Sequence, residues 1–452
     1  MKPKTHPLIL HQEDEGLLTD LYQLTMAACY TGEGISEKPA SFELFVRKLP
    51  EGFGYLIAMG LAQVLEYLEN LHFAPSHIAT LKSTGIFHHV PSEFWLLLSK
   101  TKFTGDLWAV PEGTAIFPNE PILRVDAPLW QAQIIETYLL NTINYQTLIA
   151  TKAARIRDIA GQDAQLLEFG TRRAFSPQAS LYAARAALAA GFDATSNVLA
   201  ALHLDSLPSG TMAHALVMAL SALSGSEMEA FTAFHKYFPN SSLLIDTYDP
   251  IKAAELLAEK VKSGELELSG IRLDSGDLVK LSQKVRELLP NVNIFATNDL
   301  DEWEIARLKA QNACIDGFGL GTKLVTGVPV NGVYKLVEID DIPVMKNAVD
   351  KPSYPGKKQI FRQIESGQIV GDTLGLITEE QPGKTPLLQL VIKEGKRLSS
   401  VEKLATIRER TTQSVQSIPL ETRQITQSPT PLKVEISPEL LNLTEKTKQK
   451  LT

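Results

Sequence analysis

The feature of this sequence that most limits its possible folds is a repeated order of short apolar run, polar loop and helical stretch, which begins near residue 166. The apolar runs occupy residues 166–169, 192–195, 207–209, 243–246, 268–273, 293–296 and 315–318. Each is followed by a loop of Gly, Ser, Thr, Asn, Asp or Arg, and most of these loops lead into a helical pattern. About seven such units predict parallel strands joined by helical crossovers, because a parallel neighbour needs a connection that returns the chain to the same end of the sheet.

The number of units is close to that of a barrel. A complete (β/α) barrel has about eight strand–helix units, and the first units of this series are irregular. We therefore expect an α/β fold centred on an irregular, incomplete barrel. In such barrels the loops after the carboxyl ends of the strands carry the chemistry, so functional residues are expected in these polar loops.

A different pattern precedes and follows the barrel. Short apolar segments separated by Gly and Pro predict antiparallel strands with tight turns, and they lie at residues 103–126, 333–339, 359–363 and 387–393. A chain of 452 residues is also too long for one simple core. We predict an N-terminal arm at 1–16, a β-rich and helical domain from 17–128 plus 330–410, a catalytic barrel at 129–329 and a C-terminal tail at 411–452.

Composition limits the classes of partner. The net charge of −8 argues against a nucleic-acid-binding protein, since such proteins need a basic surface that contacts phosphates. No uncharged apolar run reaches the ~18 residues that span a bilayer, and the first residues lack the apolar core of a signal peptide. The two cysteines form no metal-binding motif and suit a reducing compartment. We expect a soluble cytoplasmic protein without nucleic-acid or membrane partners.

Two glycine-containing loops have the composition of anion-binding sites. In LPSGTMAHALVM, residues 207–218, Thr211 and His214 lie at the start of a helix, where unpaired backbone N–H groups attract anions. His214 either donates to or attacks a phosphate there, or it is an ordinary core histidine paired with a backbone carbonyl. In GLGTK, residues 319–323, Gly319 and Gly321 allow close approach of a phosphate and Thr322 adds a hydroxyl donor. The alternative for this second loop is a plain tight turn.

An arginine pair follows the first strand of the series. Arg172 and Arg173 come after residues 166–169, and a guanidinium grips a carboxylate through two parallel hydrogen bonds. Alternatively the pair lies on the surface, or forms an ion pair with Glu168. Because adjacent side chains seldom point the same way, we expect one arginine to bind a ligand and the other to be structural.

A third charged group follows the strand at 268–273. In IRLDSGDL, residues 271–278, Arg272 precedes Asp274 and Asp277. Carboxylates at a strand end either hold a magnesium–phosphate complex or ribose hydroxyls, or they cap the following helix. Together the loops predict a barrel enzyme whose substrate carries several phosphates and is joined to a small acid.

The motifs resemble those of the nicotinate phosphoribosyltransferases. The matching segments, in chain order, are LLTDLYQLTMAACY, FELFVRKLP, EFGTRRA, SNVLAA, SGTMAHA, LLIDTYD, IRLDSGDL, GFGLGTKLVTG and GVYKLVEI. The resemblance implies the irregular α/β barrel of type II phosphoribosyltransferases beside a β-rich domain built from N- and C-terminal segments, in a homodimer. It also implies that nicotinate and phosphoribosyl pyrophosphate give nicotinate mononucleotide and pyrophosphate in NAD salvage, coupled to hydrolysis of ATP, with Mg²⁺ accompanying the phosphates.

The resemblance also assigns roles to individual residues. His214 matches the histidine that ATP phosphorylates, and Asp274 is a second expected catalytic residue. Arg172 would pair with the nicotinate carboxylate, within a nicotinate site formed by Tyr22, Arg172, Thr211 and Arg272. Tyr22 would contact the pyridine ring from the partner subunit. The phosphoribosyl group would lie against Gly319, Gly321 and Thr322, and Mg²⁺ would be held with phosphates near Asp274 and Asp277.

Two other functions remain open on the sequence. One is a phosphoribosyltransferase for nicotinamide or quinolinate. An amide gains little from a guanidinium, and a dicarboxylate needs a further positive charge besides Arg172. The other is a catalytically inactive homologue that acts as a binding protein, which would release no pyrophosphate.

Overall fold

The computed structural model describes residues 8–347, 353–426 and 428–451, so residues 1–7 of the predicted arm lie outside the described part. A 3₁₀ helix spans Gln12–Leu17. The helices are α1 (Leu21–Gly32), α2 (Leu61–Asn70), α3 (Pro75–Ser83), α4 (Ser92–Ser99), α5 (Leu129–Ile134), α6 (Glu136–Ala160), α7 (Pro177–Ala189), α8 (Val198–His203), α9 (His214–Ser224), α10 (Glu227–Tyr237), α11 (Pro250–Lys262), α12 (Leu278–Leu288), α13 (Glu302–Ala310), α14 (Thr322–Val325), α15 (Leu404–Ser417), α16 (Leu420–Arg423) and α17 (Pro438–Leu451).

The strands follow the same order along the chain. They are β1 (Pro39–Val46), β2 (Leu56–Ile57), β3 (Asp106–Ala109), β4 (Ala115–Ile116), β5 (Pro121–Pro128), β6 (Gln165–Glu168), β7 (Ala194–Thr195), β8 (Leu243–Leu244), β9 (Gly270–Leu273), β10 (Asn293–Ala296), β11 (Gly317–Leu320), β12 (Gly332–Ile339), β13 (Ile342–Pro343), β14 (Lys358–Glu365), β15 (Gln368–Leu376), β16 (Thr385–Pro386), β17 (Gln389–Lys393), β18 (Lys396–Arg397) and β19 (Val434–Ile436). No helix of the described part is long and apolar enough to cross a membrane.

The chain divides into two compact units. The first comprises Met1–Thr147, Pro329–Lys403 and Gln416–Thr452. Its main sheet has the strand order β13-β12-β1-β5-β3-β17-β18, so strands from both ends of the sequence share one sheet. Strand β1 lies between β12 and β5, antiparallel to both, and is buried from its second residue to its last. The buried carboxylate of Glu43 is compensated by the ammonium of Lys358 at 2.9 Å, as burial of a charge requires.

The second unit comprises Leu148–Val328 and Leu404–Val415 and contains the parallel sheet. Its six strands have the order β7-β6-β11-β10-β9-β8, and every neighbouring pair is parallel. The first strand of the unit, β6, therefore pairs with the last, β11, as in a barrel. In the part of the chain that the structure describes, no pairing joins β7 to β8. The prediction of an α/β fold with a parallel sheet is confirmed, and the sheet is open rather than a closed barrel.

The predicted strand at residues 207–209 is wrong. These residues lie in the loop between α8 and α9, where the backbone N–H of Ser209 donates to the carbonyl of Thr195 at 2.9 Å. Pro208 has no N–H to donate, and Gly210 follows at once, so this segment cannot extend a hydrogen-bonded ladder. It runs beside the end of β7 without forming a strand.

Several strand-end carboxylates begin the next helix. Asp249, Asp277 and Asp301 accept hydrogen bonds from the first backbone N–H groups of α11, α12 and α13. A side-chain oxygen at this position satisfies donors that have no partner within the helix. A polar residue after a strand in this unit is therefore either a helix cap or a candidate site residue.

Candidate active site

A cavity of about 540 Å³ opens at the carboxyl ends of the parallel strands of the second unit. Its wall is formed by the loops that follow β6, β7, β9, β10 and β11, together with the loop before α9. The predicted site residues that line it are Arg172, Thr211, His214, Arg272, Asp274, Gly319, Gly321 and Thr322. Residues up to 150 positions apart in sequence thus meet at one edge of the sheet, because parallel strands place their carboxyl ends together.

His214 is the first residue of α9, and its imidazole is partly exposed to the cavity. Nδ1 lies 3.0 Å from the hydroxyl oxygen of Thr247. Nε2 lies 3.8 Å from a carboxylate oxygen of Asp274 and 4.0 Å from one of Asp246. The side chain is 37% exposed, so His214 is not an ordinary core histidine.

Asp246 is the most enclosed charged group beside the imidazole. Its side chain is 1% exposed, and Oδ2 accepts hydrogen bonds from the backbone N–H of Asp274 and the hydroxyl of Ser275, both at 2.7 Å. Oδ1 has no hydrogen-bond partner among the described residues. Asp246 and Thr247 were not among the predicted site residues. Asp246 ends the apolar run at 243–246 and Thr247 follows it, so the strand-end position that identified the other loops was also the signal for these two residues.

Arg272, on β9, also lines the cavity. Nη1 donates to the hydroxyl of Thr211 at 2.7 Å, and Nε has no partner among the described residues. Burial lowers the pKa of this guanidinium, the carboxylates of Asp274 and Asp246 oppose that effect, and the charge of Arg172 adds to it. Two guanidinium groups therefore act on the same region, which favours an anionic ligand there.

Arg172 and Arg173 lie in a tight turn after β6. The backbone N–H of Arg173 donates to the carbonyl of Gly170 at 2.7 Å, and both Arg172 and Arg173 are exposed and line the cavity. Both arginines therefore face the cavity, and the expectation that one binds a ligand while the other is structural stays a prediction. The alternative ion pair with Glu168 does not form, because that carboxylate accepts hydrogen bonds from the backbone N–H of Gly170 and the hydroxyl of Thr195.

Glu168 instead anchors the loop that carries the arginines. It is fully buried, and burial raises its pKa while the hydrogen bonds from Thr195 and Gly170 oppose the rise. A side chain at Gly170 would place a Cβ 2.2 Å from a methyl group of Val325, so glycine is required at this point of the turn. The strand end and the arginine loop are thus fixed relative to each other.

The glycine-rich segment from Gly319 to Thr322 has little space for side chains. Gly319 and Leu320 are the last residues of β11, so only Gly321 of the predicted loop lies between the strand and α14. A Cβ at Gly319 would lie 2.7 Å from the ring of Phe169, and Gly321 directly precedes α14. Beside it, after β10, Asn298 and Asp299 adopt φ angles of 88° and 44° and line the same cavity. Such conformations are uncommon for non-glycine residues. The pair Asp340–Asp341 adopts them in the hairpin turn between β12 and β13, whereas the pair Asn298–Asp299 adopts them at the cavity. The sequence pattern predicted a polar loop here but did not identify Asn298 and Asp299 as site residues, although Asn and Asp tolerate positive φ angles.

Two predicted site residues do not line this cavity. Asp277 is exposed, caps α12 and lies 3.2 Å from the ammonium of Lys280, so its alternative role as a helix cap is the observed one. Tyr22 lies on α1 in the first unit and is 47% exposed. Partial burial, followed by the carboxylates of Glu136 and Asp20, raises its pKa to about 12. Its phenol therefore stays protonated at neutral pH.

The carboxylates near the imidazole of His214 are the candidate ligands for a metal cation. No group of three or more His, Cys, Asp or Glu side chains is arranged to hold a metal ion within residues 8–347, 353–426 and 428–451. Asp246 and Asp274 together supply two carboxylates. Mg²⁺ is commonly bound by one or two carboxylates with the remaining positions taken by water and substrate phosphates, so this pair fits Mg²⁺ that arrives with a phosphate.

Comparisons with known proteins agree with one another along the chain. Family models described as the nicotinate phosphoribosyltransferase N-terminal domain, family and C-terminal domain match residues 17–144, 164–370 and 380–444. The nicotinate phosphoribosyltransferase pncB2 of Mycobacterium tuberculosis is 40% identical over 429 residues, covering 92% of this chain and 90% of the relative. That of Bacillus subtilis is 44% identical over 386 residues, covering 80% and 76%. The crystal structure of human nicotinic acid phosphoribosyltransferase matches with a TM-score of 0.83 at 28% identity, covering 95% of this chain and 99% of the human one.

Proposed function

The chain belongs to the nicotinate phosphoribosyltransferase family, and we propose from this premise that it transfers the phosphoribosyl group to nicotinate in a reaction coupled to ATP hydrolysis. It is an enzyme of the nicotinate phosphoribosyltransferase type, with a function in NAD salvage. The observation that carries the proposal is the convergence of guanidinium groups, a glycine-rich loop and His214 on one cavity. The proposed fold is the irregular barrel of type II phosphoribosyltransferases, and the proposed location, from the cysteine-poor composition, is the cytoplasm.

Nicotinate recognition is proposed to centre on the arginines. Arg172 would pair with the carboxylate, and Arg272, positioned by its hydrogen bond to Thr211, would contact the base beside it. A guanidinium forms an ion pair and bidentate hydrogen bonds with a carboxylate, which favours nicotinate over the neutral amide of nicotinamide. Arg173 also lines the cavity, and this observation keeps the dicarboxylate quinolinate as a rival substrate.

Turnover of the three bases side by side tests this assignment. Nicotinate, nicotinamide and quinolinate would each be incubated with phosphoribosyl pyrophosphate, and pyrophosphate release would be measured. The proposal predicts the highest kcat/KM for nicotinate. A higher value for either rival would reassign the substrate, and no pyrophosphate release with any base would support a binding protein.

The sugar phosphate is proposed to lie across the strand ends. Backbone N–H groups of Gly321 and Thr322, beside the Asn298–Asp299 turn, would hold the 5-phosphate, and Gly319 at the end of β11 would allow its close approach. During transfer the bond from C1 of the ribose to the pyrophosphate oxygen breaks, and a bond from C1 to the pyridine nitrogen forms. Positive charge develops on the sugar and negative charge on the leaving pyrophosphate, and the site would stabilise both through fixed geometry and electrostatics.

Mg²⁺ is proposed to enter with the phosphates. Asp246 and Asp274 would hold it, because the unpaired Oδ1 of Asp246 supplies an oxygen ligand next to Asp274. When bound, the ion would neutralise phosphate charge that the two carboxylates would otherwise repel. The residues themselves would orient the phosphates toward the ribose and the imidazole.

His214 is proposed to accept the γ-phosphoryl group of ATP at Nε2. Nδ1 is occupied by the hydroxyl of Thr247, whereas Nε2 faces the two carboxylates at the cavity. The nitrogen would displace ADP from the γ-phosphorus, and water would later hydrolyse the phosphohistidine. This covalent step stores energy and is separate from the ribosyl transfer.

Phosphate transfer from labelled ATP tests the role of His214. The wild type should retain acid-labile label after incubation with γ-phosphate-labelled ATP, and His214→Ala should retain none. His203→Ala is a matched control, because His203 is an exposed histidine at the end of α8 in the same unit. Equal labelling of wild type and His214→Ala would remove His214 from this role.

A homodimer is proposed from exposed apolar side chains. The second unit has exposed apolar side chains at and near the cavity. Val198 lines the cavity, and the others lie within a few residues of lining residues: Phe175, Leu202 and Leu207. On the first unit, Leu18, Leu21 and Tyr22 are also exposed. A second copy would cover the apolar surface and bring Tyr22 of the partner subunit to the pyridine ring.

Complementation between inactive variants tests this arrangement. Heterodimers of Tyr22→Ala and His214→Ala would be purified by two different affinity tags. If Tyr22 acts across the interface, each heterodimer has one intact site and regains activity that neither homodimer has. Heterodimers without activity would place Tyr22 in its own subunit's site or outside any site.

A further inference from the structure

We propose that Lys152 is a positioning residue for the phosphate loop, acting through the segment that follows it rather than by touching the substrate. Lys152 lies on α6, and its ammonium donates to the backbone carbonyls of Lys323 and of Thr326, the latter at 2.6 Å. These carbonyls belong to the end of α14, whose first residue is Thr322. The inference rests on the proposed phosphate role of the segment from Gly319 to Thr322.

The short length of α14 explains why it needs an external donor. A helix leaves its last carbonyl groups without partners inside the helix, and α14 has only four residues. A cation at these carbonyls both satisfies them and interacts favourably with the negative end of the helix. Gly327 packs next to the same ammonium, because a Cβ there would lie 3.3 Å from Nζ of Lys152.

Neighbouring contacts extend the support to both loops of the phosphate region. Lys323 forms an ion pair with Asp301 at 3.0 Å, and Asp301 caps α13, the helix that follows the Asn298–Asp299 turn. One turn along α6 from Lys152, Arg155 donates from Nε to Glu302 at 3.0 Å. Helix α6 thus contacts α13 and the end of α14, the helices that follow the two segments proposed to hold the phosphate.

The charges around Lys152 act on its ammonium in opposite directions. Burial lowers its pKa, and the carboxylates of Glu302 and Asp301 oppose that shift, while Lys323 and Arg155 add to it. Lys152 does not line the cavity described above. Its effect on the substrate is therefore indirect and should be confined to the substrate that the phosphate loop holds.

The test compares Lys152→Met with Lys309→Met. Lys309 is a matched control, because its ammonium donates to the carbonyls of Ile159 and Ala160, both at 2.8 Å, at the C-terminal end of α6 and away from α14. Binding of phosphoribosyl pyrophosphate by calorimetry and steady-state KM values for both substrates would be measured. Lys152→Met should weaken phosphoribosyl pyrophosphate binding roughly tenfold or more, with the KM for nicotinate within about twofold of wild type. Lys309→Met should leave both unchanged.

If Lys152→Met does not fold, the comparison is made between Lys152→Arg and Lys152→Gln. Arginine keeps a charged donor and should recover more of the affinity for phosphoribosyl pyrophosphate than glutamine does. Equal effects on both KM values, or unchanged affinity for phosphoribosyl pyrophosphate, would overturn the positioning role. A wild type that does not bind phosphoribosyl pyrophosphate at all would instead refute the proposed function.

Discussion

Replacing Thr211 by valine isolates one hydrogen bond in the candidate active site. Valine keeps the shape of threonine but removes the hydroxyl that accepts from Nη1 of Arg272 at 2.7 Å. Nε of Arg272 already lacks a partner among the described residues, so the variant leaves a second donor of a partly buried cation unpaired. A hydrogen bond to a charged group contributes about 1.5–3 kcal/mol.

Because Arg272 is proposed to contact nicotinate, this loss should appear in nicotinate recognition. We expect Thr211→Val to raise the KM for nicotinate by roughly 10- to 100-fold, since about 1.4 kcal/mol corresponds to tenfold. The assay is steady-state kinetics with nicotinate varied at saturating phosphoribosyl pyrophosphate and ATP. Thr412→Val is the matched control, because its hydroxyl donates to a carbonyl within α15 and does not line the cavity.

The stability of the Thr211→Val variant is measured beside its kinetics. Loss of the same hydrogen bond should lower the free energy of unfolding by no more than about 1.5–3 kcal/mol, so the variant should remain folded under the assay conditions. A KM for nicotinate within about twofold of both wild type and Thr412→Val would show that the Thr211–Arg272 hydrogen bond does not support base recognition.

Three other changes test different parts of the same site. Arg172→Ala should raise the KM for nicotinate by the equivalent of about 2–4 kcal/mol, and an unchanged KM in the kinetic assay would put that guanidinium outside the nicotinate site. Gly319→Ala places a Cβ 2.7 Å from the ring of Phe169, so overpacking should reduce the free energy of unfolding by about 1–3 kcal/mol, and the KM for phosphoribosyl pyrophosphate should rise. Urea unfolding identical to wild type would contradict the close packing of that loop. Burial raises the pKa of Glu168, so the folded protein binds this proton more tightly than the unfolded chain does. The free energy of unfolding should therefore fall as the pH rises from about 4.3, the pKa in the unfolded chain, through the raised pKa of the folded protein. Glu168→Gln should flatten that part of the curve in urea titrations at several pH values, and an unchanged slope would show that Glu168 does not titrate in this way.

The sequence pattern predicted the parallel sheet because strand ends leave a local signature. An apolar run followed by a small or charged loop marks β6, β9, β10 and β11 without reference to any distant residue. The same rule failed at residues 207–209, where the apolar start is one residue long and is followed by Pro208. Whether such a segment joins a ladder depends on its neighbour, here the end of β7, which the local pattern does not contain.

The candidate site was predictable where residue type alone implies chemistry. Guanidinium groups, the histidine and the glycine-rich loop were identified in this way, and their meeting at one cavity follows from parallel strands. Asp246 was missed because an aspartate after a strand is equally a helix cap, as Asp249 is for α11. The converse error at Asp277 has the same cause. Only burial and hydrogen-bond partners separate the two roles.

The most direct test of the account is a crystal structure of the protein with nicotinate mononucleotide and Mg²⁺–pyrophosphate. The account predicts the nucleotide phosphate on the backbone between Gly319 and Thr322, the nicotinate carboxylate against Arg172, and Nε2 of His214 facing the phosphates. A nucleotide bound outside this cavity, or one with its carboxylate and phosphate positions exchanged, would contradict it.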